Sequence, residues 1–211
     1  MTLRRPWARR IAVSTVSAAA LVALAVPADA ATTATATSTS TATAAAEDVS
    51  YDTWQKDCQA VMDQALPYLK QRIANTKPGE KQAIVFDIDN TTLETDFGFS
   101  YPQPANKPVL EVAEYAQQHG VSLFFVTARP GIIASVTDYN LKHVGYQVSG
   151  LYVRSFGDLF KDVAEYKTAQ RVGIENKGYT IIANVGNSAT DLSGGHAEKT
   201  YKLPDYDGQL S

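Results

Sequence analysis

Ala83-Ile84-Val85-Phe86-Asp87-Ile88-Asp89-Asn90-Thr91-Thr92 is the stretch on which the fold turns. Four apolar residues in a row read as a short buried strand, and two aspartates follow directly on it. Crowding two carboxylates at the end of such a strand is unfavourable unless a cation or another partner compensates. No basic residue adjoins them in sequence. A plain turn, with Asp89-Asn90 capping the next segment, accounts for one aspartate but not for the pair with its flanking threonines.

Outward from this stretch the same pattern repeats. Short apolar runs at 121–126, 151–153 and 180–185 are bounded by turn residues, and helical periodicity fills 108–118, 131–143 and 159–171. Strands alternating with helices predict an α/β fold whose parallel sheet is covered on both faces. Upstream, Trp54, Cys58, Val61, Ala65, Leu69 and Ile73 recur at steps of three and four, predicting a helix over 51–75 with a kink at Pro67. Cys58 falls on its apolar stripe and reads as a small buried residue rather than a reactive thiol.

In parallel α/β sheets ligands bind beyond the carboxyl ends of the strands, and three more strand ends carry polar groups. Thr127-Ala128-Arg129 follows the second run; taken alone, Thr127 reads as a helix cap. Lys167 lies on one helical row with Phe160, Val163 and Ala164, a costly place for an amine unless it snorkels or meets an anion. Gly186-Asn187-Ser188-Ala189-Thr190-Asp191 follows the last run and reads either as a polar loop or as oxygen ligands for a hard cation. Each bland reading is tenable alone, but acidic pair, hydroxyl, amine and second acidic loop arrive in order at successive strand ends.

Asp87-x-Asp89-x-Thr91, with Thr127, Lys167 and the 186–191 loop behind it, resembles the four motifs of the haloacid dehalogenase (HAD) superfamily. The similarity runs from about Ile84 onward and is strongest to the secreted acid phosphatase branch, subfamily IIIB, which includes class B bacterial enzymes and plant vegetative storage proteins. The resemblance implies a Rossmann-like three-layer sandwich around a central parallel sheet. It also implies Asp87 as nucleophile and Asp89 as general acid and base. Thr127, Ala128, Arg129 and Lys167 would bind phosphate. Asp87, the main-chain carbonyl of Asp89, Asn187 and Asp191 would hold Mg2+. Asn187 departs from the family's usual aspartate, which removes one formal negative charge and brings Asp191 into the expected ligand set. The insertion at 94–107, with Phe97, Phe99 and Tyr101, is too short for a cap domain and predicts a small aromatic flap over an open site. Small phosphate monoesters are the expected substrates.

The ends of the chain set the cellular context. Arg4, Arg5, Arg9 and Arg10 precede an uncharged stretch at 11–26 and a small-residue site, Ala28-Asp29-Ala30. This is the layout of a signal peptide over 1–30, exported by a Sec or Tat route, and the apolar run is short for a membrane span. Residues 31–46 are only Ala, Thr and Ser and predict a disordered linker. Residues 47–211 then form one domain, with 47–78 as its N-terminal helical segment. Without 1–30 the balance is 15 basic against 21 acidic residues, a net −6, with no basic stripe for a nucleic acid. The single Cys58 excludes an internal disulfide. After cleavage no stable membrane association is expected.

Readings from other classes share parts of this pattern. They are a non-enzymatic secreted storage or binding protein on the same fold, a phosphotransferase with the same residues, and a surface-interaction module on an Ala/Thr stalk. A phosphatase of another mechanism is disfavoured, because none of His119, His143 and His196 lies in an Arg-His-Gly context and Cys58 lacks an arginine six residues on.

Overall fold

The computed structural model describes residues 49–98 and 100–210; the expected signal peptide, the linker and Phe99 of the flap lie outside the described residues. The first helix, α1 (Tyr51–Ala74), starts where the Ser50 hydroxyl accepts the Thr53 amide at 3.2 Å, closing one of the free donors of a helix N-terminus. Its buried face is Trp54, Cys58, Met62, Ala65, Leu69 and Ile73, so Met62 takes the place expected of Val61. The helix span continues through Pro67.

Five parallel strands follow: β1 (Lys81–Phe86), β2 (Ser122–Pro130), β3 (Val148–Arg154), β4 (Tyr179–Gly186) and β5 (Thr200–Lys202). Their order in the sheet is β3-β2-β1-β4-β5. The helices between them are α2 (Lys107–Gln118), α3 (Ala134–His143), α4 (Val163–Glu175) and the single turn α5 (Ala189–Leu192). From β1 the chain steps outward to β3, then returns across β1 to β4. Right-handed crossovers therefore place α4 on the face opposite α2 and α3.

Period-two alternation divides the strand side chains between two cores. Ile84, Phe86, Leu123 and Phe125 join α1, α2 and Leu141 of α3 in one cluster, while Ala83, Val85, Phe124 and Val126 meet Tyr166 and Ile174 of α4 in the other. The expected three-layer α/β sandwich with a parallel sheet is thus present. The order of strand addition reverses between β1 and β4, and the crevice beyond their carboxyl ends is the place where such sheets bind ligands.

Three local expectations need correction. The helix expected from 159 starts at Val163, because the Asp162 carboxylate accepts the Glu165 amide at 3.0 Å and caps it there. Phe160 consequently belongs to a 3-10 turn and is 80% exposed rather than part of a buried row. The segment expected to be helical from 131 opens as a 3-10 turn, Gly131–Ile133, before α3. Strand β5 and the packed tail behind it carried too few apolar residues to be read from sequence. Its anchors, Leu203 and Leu210, are nonetheless buried.

Cys58 is buried as expected, and burial pushes its thiol up to about 12. Among the described residues no helix is long and apolar enough to cross a membrane. Replacing Leu123, fully buried between β1 and β3, by alanine is expected to cost about 2–5 kcal/mol of stability. Urea unfolding of the domain measures this directly.

Candidate functional site

Asp87 follows β1 and is only 6% exposed. Its amide donates to the Val185 carbonyl at 2.9 Å, and its own carbonyl accepts from the Thr92 hydroxyl at 3.1 Å, so the carboxylate is fixed from both sides of the residue. Just over one turn into α4, on the opposite face of the sheet, Lys167 is 3% exposed and donates to Asp87 Oδ1 at 2.6 Å. The same ammonium donates to Asp191 Oδ1, and Asp191 is 3% exposed. The amine that looked costly on its helical row therefore sits between two buried carboxylates.

Burial pushes the Asp87 carboxyl up, and the Asp191 carboxylate adds to this; Lys167 works against both without reversing them. For Lys167, burial disfavours the ammonium, but the two carboxylates prevail and hold its pKa above the ordinary value.

Asp191 is gripped at its other end as well. Its carbonyl accepts from Arg171 Nη1 at 2.7 Å and from Asn184 Nδ2 at 2.9 Å. Arg171 also donates to the carbonyls of Ser193 and Gly195 and is 1% exposed. The second Asp191 oxygen accepts the Ser188 amide at 2.7 Å. This loop packs so closely on β4 that a side chain at Gly186 would collide with the Asp191 carboxyl. Glycine is required there for close approach.

Asp89 occupies the open side. Arg129, at the end of β2, holds it with two parallel bonds, Nε to Oδ2 at 3.0 Å and Nη2 to Oδ1 at 2.7 Å, and Thr95 Oγ1 adds a third at 2.8 Å. Burial raises the Asp89 carboxyl, but the guanidinium outweighs it and leaves the group below its ordinary value. Thr127 is fully buried, and its hydroxyl accepts the Arg129 amide at 3.1 Å. It turns the strand end rather than capping α3. Ala128 lines the cleft with Asp87, Asp89, Lys167, Asn187 and Asp191; its volume is 380 Å3.

The flap leaves the sandwich through a narrow neck, where the Glu94 amide donates to the Pro104 carbonyl at 2.9 Å and the Asn106 amide to the Thr92 carbonyl at 3.0 Å. Phe97 does not hang over the site but stacks on Trp54 at 4.5 Å. Tyr101 is 61% exposed and stacks on Tyr139 of α3. The flap is therefore anchored at one end on α1 and at the other on α3, where Asn140 pairs with the main chain of Gln103, and the Gln103 side chain accepts from Arg129 Nη2 at 2.8 Å.

Four carboxylates line the cleft, Asp87, Asp89, Asp96 and Asp191, and all but Asp96 pair with the cations Lys167 and Arg129. Among the described residues no three His, Cys, Asp or Glu side chains cluster as a self-sufficient metal cage. The donors present are all oxygens: Asp87, Asp191, the amide of Asn187 and the main chain of Asp89. That set fits Mg2+, which keeps several waters and binds through one or two carboxylates. It suits a thiophilic metal poorly.

A family model described as HAD superfamily, subfamily IIIB (Acid phosphatase), matches residues 5–209. The chain belongs to this family. Among similar proteins, the "Stem 28 kDa glycoprotein" of Glycine max is 27% identical over 75% of this chain and 70% of its own length. "Vegetative storage protein 1" of Arabidopsis thaliana is 23% identical over 74% of this chain and 72% of its own. In structure, the class C acid phosphatase from Bacillus anthracis superposes with a TM-score of 0.59 at 16% identity, covering 74% of this chain and 80% of that one.

Of the sequence-derived residues, Asp87, Asp89, Ala128, Lys167, Asn187 and Asp191 line one cleft, Arg129 binds Asp89 from the edge, and Thr127 sits behind the wall. Sequence reasoning missed Arg171, Asn184 and Asn106. Arg171 had a signal, since it stands one helical turn beyond Lys167. Asn106 had none: it links Thr91, Gln55 and Cys58 across the base of the flap. Lys167→Met would leave two buried carboxylates without their cation and is expected to cost about 3–5 kcal/mol. Urea unfolding at neutral pH measures it, and adding Asp87→Asn to that variant should recover part of the loss.

Proposed function

We propose that this chain is an exported, Mg2+-dependent phosphatase that hydrolyses small phosphate monoesters through an aspartyl-phosphate on Asp87. The observation that carries the reading is the buried Asp87 carboxylate, presented at the switch point of the sheet with Lys167 2.6 Å away. Export follows the proposed signal peptide at 1–30 and linker at 31–46, ahead of a domain over 47–211.

In the first step an Asp87 oxygen forms a bond to phosphorus as the bond to the leaving oxygen breaks, and Asp89 gives that oxygen its proton. In the second step Asp89 takes a proton from water, the water oxygen bonds to phosphorus, and Asp87 is released with inorganic phosphate. Lys167 is placed to hold a non-bridging phosphoryl oxygen while it neutralises Asp87. Mg2+ held by Asp87, the Asp89 carbonyl, Asn187 and Asp191 supplies charge compensation between nucleophile and phosphate when bound.

Asp89 lies where two clefts meet. The second cleft is lined by Tyr101, Gln103, Arg129, Ile133, Val136 and Asn140. A leaving group lying there places its oxygen at Asp89, and the mixed apolar and amide lining accepts groups of varied shape, which supports broad specificity. In the resting site Arg129 keeps Asp89 ionised, the wrong state for an acid. An arriving phosphate competes for the same guanidinium; as Arg129 turns to it, Asp89 loses its counter-charge and its proton affinity rises.

A storage role is the second reading, favoured by the likeness to a protein named as a vegetative storage protein. Phosphate release from an aryl phosphate, by residues 47–211 with Mg2+ or with chelator, separates the two. Activity that needs Mg2+ and falls at least ~1000-fold in Asp87→Asn supports the enzyme, since that group forms the covalent bond. Equal inertness of the two folded proteins supports storage. Arg129→Lys removes the two-pronged grip and is expected to raise KM about tenfold, the loss of one bond to a charged group.

A further inference from the structure

Asn187 stands where the resemblance implies an aspartate, and its side chain is tied to a main-chain carbonyl 23 residues further along. The Leu210 main-chain carbonyl accepts from Asn187 Nδ2 and, at 3.0 Å, from Asn90 Nδ2. Asn90 follows β1 and Asn187 follows β4, so one carbonyl ties together the two loops that flank the switch point. Both asparagines are 2% exposed and Leu210 is 7% exposed. Two donors fill both lone pairs of the Leu210 oxygen.

A carbonyl can only accept, so the atom of Asn187 facing it must be the amide nitrogen. That fixes the side chain's orientation and leaves Oδ1 as its acceptor on the other side, where the Thr91 hydroxyl lies at 3.3 Å and also accepts the Asn187 amide at 3.1 Å. An aspartate here would set a carboxylate oxygen against the Leu210 carbonyl in a buried place, with repulsion and no donor between them.

The tail is held independently of this contact. Leu203 donates to the Gly186 carbonyl at 2.9 Å, and the Tyr206 hydroxyl donates to Asp57 of α1 at 2.7 Å. The tail is therefore docked against the same strand end that carries Asn187.

We propose that residues 203–210 are a working part of the cation site: the Leu210 carbonyl positions Asn187 and makes asparagine, not aspartate, the residue that lets this site bind its cation. This rests on the Mg2+ reading given above. Leu210 acts here as a positioning residue through its main chain.

The test is calorimetric titration of Mg2+ into the chain from residue 47, in four forms. These are wild type, Asn187→Asp, a truncation lacking residues 209–211, and the two changes combined. Thermal unfolding without metal is recorded for each. Loss of an outer partner of a metal ligand typically weakens affinity 10–100-fold, so Asn187→Asp and the truncation should each weaken Mg2+ binding about tenfold or more. In the truncated chain, where no carbonyl opposes it, Asn187→Asp should instead tighten binding and no longer lower Tm.

That reversal of sign is specific to contact between the two groups, because independent defects would add. If Asn187→Asp binds Mg2+ as tightly as wild type in the intact chain, or the truncation leaves affinity unchanged, the inference is overturned while the phosphatase reading stands. If wild type binds no Mg2+, the metal reading itself fails and takes this inference with it; aryl phosphatase activity and its loss in Asp87→Asn then report separately on the remainder.

Discussion

A single ammonium group between two buried carboxylates is the constraint on which the site depends. Asp87 and Asp191 come from different strand ends, and both are largely buried at the floor of the cleft. Neither could sit there charged without Lys167, and Lys167 could not be buried without them. The sheet order brings the three together, because the chain must cross β1 before reaching β4. This crossing puts α4 on the face opposite α1, α2 and α3, with its lysine reaching the gap between β1 and β4. Topology and electrostatics thus solve one problem jointly.

The outer carboxylate is arranged by a different rule. Asp89 is held by a two-pronged arginine and a threonine rather than by burial alone, and it faces a cleft open toward the flap. The inner pair is locked, whereas the outer pair can exchange partners. Such a division suits a site in which one carboxylate must stay fixed and the other must gain and lose a proton.

Much of this was legible in the chain. The apolar run before Asp87 and the alternation of strands and helices gave the parallel sheet, since buried parallel strands have no polar face to confuse the pattern. The polar residues at successive strand ends pointed to one cleft because parallel strands deliver their ends to one edge. What remained hidden depended on contacts distant in sequence. Nothing near Asp89 announces Arg129 as its partner, and Asn106 bonds to residues 15 and 48 positions away. The start of α4 was misjudged for a local reason, as Asp162 caps the helix three residues after Leu159 and turns Phe160 outward. β5 is three residues long, below the length at which alternation can be seen.

The double hold on Asp191 has a mechanical corollary. Lys167 grips its carboxylate and Arg171 its carbonyl, one turn apart on the same helix, so α4 and the loop after β4 behave as a single solid piece. That piece is tied to the rest of the fold by the Asn184 bond to the Asp191 carbonyl, by the Asn187 bonds to Thr91 and Leu210, and by the Lys167–Asp87 pair. The cation beside Asp87 is thus carried on a frame that α4 and β4 hold together, so its place is set by two elements rather than by one flexible side chain.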